Sequence, residues 1–226
     1  MRKMTLMAIV IFSLLDLAEL HSQTVQLNVE KLQKVNVSTS METLKGKQVV
    51  KLIKDSSIKK FDEPTFAKVT GVDFKNGIIE VKVLSRLLKT APEFARGFIG
   101  IAFRINDSNT EYESIYIRPT NARADDQVRR NHSIQYYSYP DYKFDRLRKE
   151  SPEQYESYSD LEMNKWIILR IEVKGAQAKL FINKNPQPSL IVKDLKHGAN
   201  ASGSVALWVD EGTEGFFSDL RIIKQD

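Results

Sequence analysis

Cysteine is absent from the 226-residue chain, which excludes disulfides, thiolate metal sites and lipid attachment through a thiol. Histidine is scarce. Of the three, only His132 and His197 lie beyond the N-terminal segment, and neither has a second ligand at metal spacing. No metal or organic cofactor is therefore expected. A structural calcium is left open and unassigned, since Asp73, Asp210 and Asp219 sit at strand ends without a dense oxygen-ligand loop. No apolar run is long enough to span a bilayer, and beyond the N-terminus no long amphipathic helical period appears. The net charge of +5 and pI near 9.2 are spread along the chain. A clustered basic stripe and a nucleic-acid motif are both missing, so no nucleic-acid partner is expected. An anionic glycan is compatible with this charge. Nothing in the sequence sets an oligomeric state.

The N-terminus reads as an address. Met1-Arg2-Lys3 is a basic start, residues 4–15 form a short apolar run, and Leu20-His-Ser-Gln23 supplies small or polar cleavage positions. This pattern predicts a signal peptide over 1–23 and a secreted or periplasmic, soluble product. Residues 24–226 are then a single domain, with ample length for one sizeable core.

The rest of the chain alternates with period two. Ile79, Val81 and Val83 share one strand face. So do Ile99, Ile101, Phe103 and Ile105, and again Ile167, Leu169, Ile171 and Val173. Asn76-Gly77 is a two-residue hairpin signal, and Gly175 opens a second hairpin with residues 178–183. Val25–Val29 and Gln48–Ile53 read as shorter strands, and the basic stretch from Lys45 to Lys60 as a solvated edge. Many short strands with regular turn signals predict an all-β, two-sheet antiparallel sandwich. On 97–105 the second face carries Phe98, Gly100, Ala102 and Arg104. Its small residues leave room over the sheet for a ligand or for a loop of the protein itself.

The stretch from Tyr112 to Tyr158 holds all eight tyrosines and six of the twelve arginines. It starts as a strand, which Pro119 ends, and continues as a long polar and aromatic insertion. Such connections are usually functional or disordered, and the aromatic content argues for order. Arg104, Tyr116 and Arg118 face away from the expected core and form the predicted floor of a site. Asn121, Arg123, Arg130, Tyr136, Tyr139, Arg146 and Arg148 complete the candidate binding set, since tyrosine offers a ring face and a polar tip and arginine a bidentate fork. Asp125 and Asp126 stand four residues before Arg129 and Arg130, which predicts helical ion pairs. For catalysis the weaker candidates are Glu113, Asp126, His132 and Glu150, with His132 as a general base or as a structural histidine.

Three segments carry a family resemblance: residues 72–80, residues 97–104 followed by Tyr112-Glu113, and residues 166–183 followed by 203–208 and 216–222. Together they resemble the concanavalin A-like lectin/glucanase jelly rolls, with similarity to 3-keto-disaccharide hydrolase-like and laminin-G-like domains. The resemblance covers residues 66–224 and implies a jelly roll, a fold that hosts lectins, glycosidases and adhesion modules. Family 16 glucanases on this fold carry Glu-x-Asp-x-x-Glu. That spacing is absent here, which disfavours retaining hydrolysis by such a pair. The leading expectation is an exported carbohydrate-binding module using the concave sheet and the 112–158 insertion. The alternatives are a glycoside hydrolase or keto-sugar lyase of the same fold, and an adhesion or structural domain whose insertion meets a protein partner.

Overall fold

A computed structural model describes residues 21–225 of the chain. The expected leader lies almost wholly outside the described residues. In chain order the elements begin with β1 (His21–Thr24), a 3-10 turn (Val29–Lys31), β2 (Leu32–Val35), β3 (Val37–Leu44), β4 (Lys47–Lys54) and β5 (Phe66–Val69). β6 (Gly77–Leu87), β7 (Ile99–Ile105), β8 (Tyr112–Ile117), α1 (Pro119–Ala122), α2 (Gln127–Asn131), β9 (Ile134–Tyr139) and α3 (Phe144–Glu150) follow. The chain closes with β10 (Glu156–Ser157), β11 (Ile167–Lys174), β12 (Gln177–Ile182), β13 (Leu190–Val192), β14 (Ser204–Val209) and β15 (Thr213–Lys224).

These strands form two antiparallel sheets, the sandwich expected from the alternation and the jelly roll implied by the resemblance. The back sheet runs β13-β12-β11-β6-β15-β4-β3, with β1 pairing on β15 beyond the end of β4. The front sheet runs β10-β9-β8-β7-β14-β5-β2. The aliphatic periods land as read: the 79/81/83, 99/101/103/105 and 167/169/171/173 residues are all buried. They meet between the sheets, where Ile99 and Val209 of the front sheet crowd Gly215 of β15.

Four local expectations differ from the structure. Asn76-Gly77 does not close a hairpin, because β5 and β6 belong to different sheets. Gly77 is required instead by close packing: it has φ +129°, and a Cβ there would lie 1.9 Å from the Ile223 carbonyl oxygen. Lys45–Lys60 is not a solvated edge, since β4 lies between β3 and β15 and buries Val49, Val50 and Leu52. Val25–Val29 is not a strand; β1 ends at Thr24, one further N–H bond runs from Val25 to the Leu220 carbonyl, and a 3-10 turn starts at Val29. Finally, the stretch after Pro119 contains a full strand, β9, between β8 and β10. Both of its faces are covered, so it shows no polar–apolar alternation.

Register divides the front sheet into two faces. Ile101, Ile115 and Tyr136 stand in line and point to the back sheet; Gly100, Tyr116 and Gln135 stand in line on the other face. That outer face is not bare. Trp208 and Tyr116 flank Gly100 on the two neighbouring strands, and their ring centroids approach to 4.6 Å. A Cβ at Gly100 would sit 2.5 Å from Tyr116 Cα. The space over the glycine is thus filled by the protein's own rings. Phe66, Tyr112 and Tyr137 extend this aromatic layer through edge-on contacts, and Tyr139 stacks on Tyr112 at 5.1 Å.

Candidate functional site

At one end of the outer face the aromatic layer stops and a cavity of about 580 Å³ opens. The β4–β5 loop supplies Phe61 and Asp62, and the β6–β7 loop supplies Phe94, Arg96 and Phe98. Tyr116 and Arg118 come from the end of β8; Asn121, Val128, Arg129, His132, Phe144 and Arg148 come from the segment around α1, α2 and α3. Asp210, just past β14, completes the lining.

Arg118 is the floor. Its guanidinium donates to Glu156 Oε1 at 3.1 Å, Tyr116 Oη at 2.7 Å and Gln135 Oε1 at 3.1 Å. It also lies over the rings of Tyr116 and Phe144. Glu156 is shared with Arg148, whose Nε donates to Oε2 at 2.9 Å. Burial pulls the Glu156 carboxyl upward, but Arg148 and Arg118 hold it below the usual range. His132 Nε2 stands 3.7 Å from Glu156 Oε2. Burial lowers its pKa; the Glu156 carboxylate opposes this and the charges of Arg148 and Arg118 add to it, which favours the neutral ring. The Tyr116 phenol is pushed well above its ordinary value by burial and stays protonated.

Asp62 fastens one wall. Its backbone is left-handed, with φ 51°. Its N–H donates to Asp210 Oδ2 at 3.0 Å, and its own Oδ2 accepts the Phe144 N–H at 2.9 Å. Asp210 in turn accepts from the buried Lys54 ammonium and from the Glu211 N–H. Burial and the neighbouring Asp210 charge raise the Asp62 pKa from 3.8 to about 7. A carboxyl of this kind can exchange a proton at neutral pH.

Several polar atoms of cavity-lining residues lack partners among the described residues: Arg118 Nε, Asn121 Oδ1 and Arg129 Nε are buried without a hydrogen bond. Such orphans are rare in a folded interior.

The structure brings together five of the residues expected to matter: Tyr116, Arg118, Asn121, His132 and Arg148 all line the cavity. The others stand elsewhere. Arg104 leaves the strand alternation through a left-handed backbone (φ 54°), and its guanidinium gathers the carbonyls of Lys75, Gly175 and Gly198. It is a bracket for loops, not part of the floor. Tyr136 and Glu113 face the back sheet and bond each other at 2.6 Å, with the carboxylate also accepting the His197 N–H. Asp126 caps α2 by accepting the Arg129 N–H, and Arg130 turns to Tyr158, so the expected helical ion pairs do not form. Arg123 pairs with Asp160 and Glu162. Arg146 pairs with Glu150 and lies over Tyr142. Tyr139 is occupied by its stacking on Tyr112 and a bond to Glu63.

Sequence reasoning missed Phe61, Asp62, Phe94, Arg96 and Phe144. The signal open to it was aromatic residues in two polar loops, Phe61-Asp-Glu-Pro64 and Phe94-Ala-Arg96, each just before a front-sheet strand. Of the calcium candidates, Asp210 is taken by Lys54 and Asp219 by Lys47 and Lys82. Among the described residues no group of three or more His, Asp or Glu side chains could hold a metal ion. No described helix is long and apolar enough to cross a membrane.

No known family model and no curated protein sequence matches the chain. Solved structures do match its fold. A carbohydrate-binding module of Bacillus subtilis aligns with TM-score 0.52 and 10% identity, over 84% of this chain and 96% of its own. A candidate glycosyl hydrolase of Parabacteroides distasonis aligns with TM-score 0.55 and 11% identity, over 90% and 99%. A Bacillus subtilis protein of galectin-like fold aligns with TM-score 0.53 and 9% identity, over 87% and 90%. At these identities the likeness defines a class, the lectin-like jelly-roll β-sandwiches, and no more than the fold.

Proposed function

We propose that this protein binds a carbohydrate in the cavity on the outer face of its front sheet. The supporting observation is the pairing of apolar ring walls with a fixed polar floor in one concave site. Phe61, Phe94 and Phe144 can meet the C–H faces of a sugar ring, and Arg118, Asn121 and Arg148 its hydroxyl rim. The fold-level likeness to a carbohydrate-binding module supports the same reading by analogy. Within this reading the product acts outside the cytoplasm after loss of residues 1–23. The test is a glycan array on the wild type and on Phe94→Ala. Phe94 is 48% exposed, so its loss should leave the melting temperature nearly unchanged and weaken binding tenfold or more. An array without a retained glycan, or equal binding by the variant, contradicts the proposal.

One observation favours a second reading, an acid–base enzyme on a sugar. Asp62 titrates near neutrality beside the cavity, where a general acid or base is effective. Glu113, Asp126 and Glu150 stand outside the cavity and do not converge with His132. A reducing-sugar assay on the retained glycan, run with Asp62→Asn, separates binding alone from turnover.

A further inference from the structure

We infer that the ligand of this cavity carries an anionic group, a sugar carboxylate or sulfate, seated among Arg96, Arg118 and Arg129; the inference rests on the carbohydrate reading above. The cavity holds four guanidinium groups, and their partners are unevenly distributed. Arg118 and Arg148 share the single carboxylate of Glu156, Asp210 is committed to Lys54, and burial and the Asp210 charge hold the lining carboxyl of Asp62 toward its neutral form. Among the described residues no carboxylate lies within ion-pair distance of Arg96 or Arg129. Arg96 donates only to the backbone carbonyls of Glu93 and Ala95. Arg129 keeps a buried Nε with no acceptor.

Like charges gathered in a half-desolvated, ring-walled space repel one another, and burial strengthens the repulsion. Arg96 registers both effects: burial first, then the charges of Arg129 and Arg118, depress its pKa. An arrangement of this kind is stabilised once an anion joins it, because charge-assisted, bidentate bonds to carboxylate or sulfate satisfy guanidinium donors at once. Arg96, whose guanidinium meets no carboxylate among the described residues, supplies such donors. Arg118 is 5% exposed, lines the cavity and is fixed by Glu156, Tyr116 and Gln135, so its positive charge is held at the cavity floor before any ligand arrives. The aromatic wall of Phe61, Phe94 and Phe144 then takes the sugar ring, and the arginine cluster takes its charged substituent.

The experiment is calorimetric titration of the full chain with two matched pairs. One pair is tri-galacturonate and its methyl ester; the other is a sulfated disaccharide and its unsulfated parent. At least one anionic member should bind tenfold or more tighter than its neutral partner, with a preference that shrinks as salt is raised. Arg96→Gln and Arg129→Gln should each move the anionic-to-neutral affinity ratio toward one, with melting temperature recorded for both variants. Equal affinity within both pairs overturns the anionic inference and leaves the carbohydrate reading standing. Failure of all four sugars to bind, whether or not inorganic sulfate does, overturns the inference and counts against the carbohydrate reading with it.

Discussion

The two faces of the front sheet use the same strands to different ends. Toward the back sheet, Ile99, Ile101, Phe103, Ile115 and Leu207 are buried in an aliphatic layer. On the other side the same strands present Tyr112, Tyr116, Tyr137 and Trp208, covered by loops rather than by a sheet. The first layer is covered by the back sheet, because two sheets with complementary alternation pack face to face. The second is closed by irregular segments, and where they part the cavity opens. The contrast separates a packed side of the sheet from an open one, and the difference is testable position by position.

Breaking the inner face should have the largest effect. Phe103→Ala removes a fully buried ring and should destabilise the protein by about 3–5 kcal/mol, read from denaturant midpoints. A loss below about 1 kcal/mol, the scale of an ordinary surface change, would show that the inner face is misassigned.

Next comes a polar contact on that same face. Tyr136→Phe keeps the ring but deletes the hydroxyl that donates to Glu113, a carboxylate with no solvent exposure. The cost should be about 1–3 kcal/mol, the range for a buried acceptor that loses a partner. Unchanged stability would mean that the His197 N–H alone satisfies the carboxylate.

On the outer face Asp62 should behave in the opposite sense. Its folded pKa, about 7, lies above its ordinary 3.8, so the folded chain holds the proton more tightly than the unfolded chain does. Its contribution favours folding below about pH 4 and is lost as pH rises through about 7. The groups that set this are Asp210 with its partner Lys54, Arg118, Lys143 and the Phe144 N–H. Asp62→Asn should therefore stabilise the protein at pH 8, by on the order of 1–2 kcal/mol, and flatten the fall in melting temperature from about pH 5 to about pH 8. Asp210, also raised by burial, keeps part of that slope. An unchanged slope would place the Asp62 carboxyl in a more solvated setting than the cavity wall.

The smallest stability effect belongs to the rim. Phe94→Ala should change stability by less than about 0.5 kcal/mol, while the proposed sugar site predicts a large loss of glycan affinity. A stability loss comparable to that of Phe103→Ala would make Phe94 a packing residue and erase the distinction between the faces.

What could be read in advance follows the same division. Residues 99–105 and 167–173 alternate because each strand has one face in an aliphatic core, and that pattern survives in the sequence. Ile134–Tyr139 carries tyrosine on both faces, so its period is hidden although its strand is complete. Arg104 follows the alternation in sequence and departs from it in space, since its positive φ turns the side chain toward loop carbonyls. At the site, Tyr116 and Arg118 were legible as outward strand positions. Asp62 was not. Its chemistry comes from Phe144 and Asp210, 82 and 148 residues away along the chain, and no local pattern records such a meeting.

The central proposal is that a sugar binds in the outer-face cavity. Amide chemical-shift mapping during titration with a glycan retained on the array tests that directly. A sugar in this cavity should shift Phe61, Asp62, Phe94, Arg96, Asn121, His132 and Phe144 and leave β11 and β12 of the back sheet unmoved. Shifts centred on the back sheet, or spread over Arg123, Arg130 and Arg146 with the cavity silent, would contradict it.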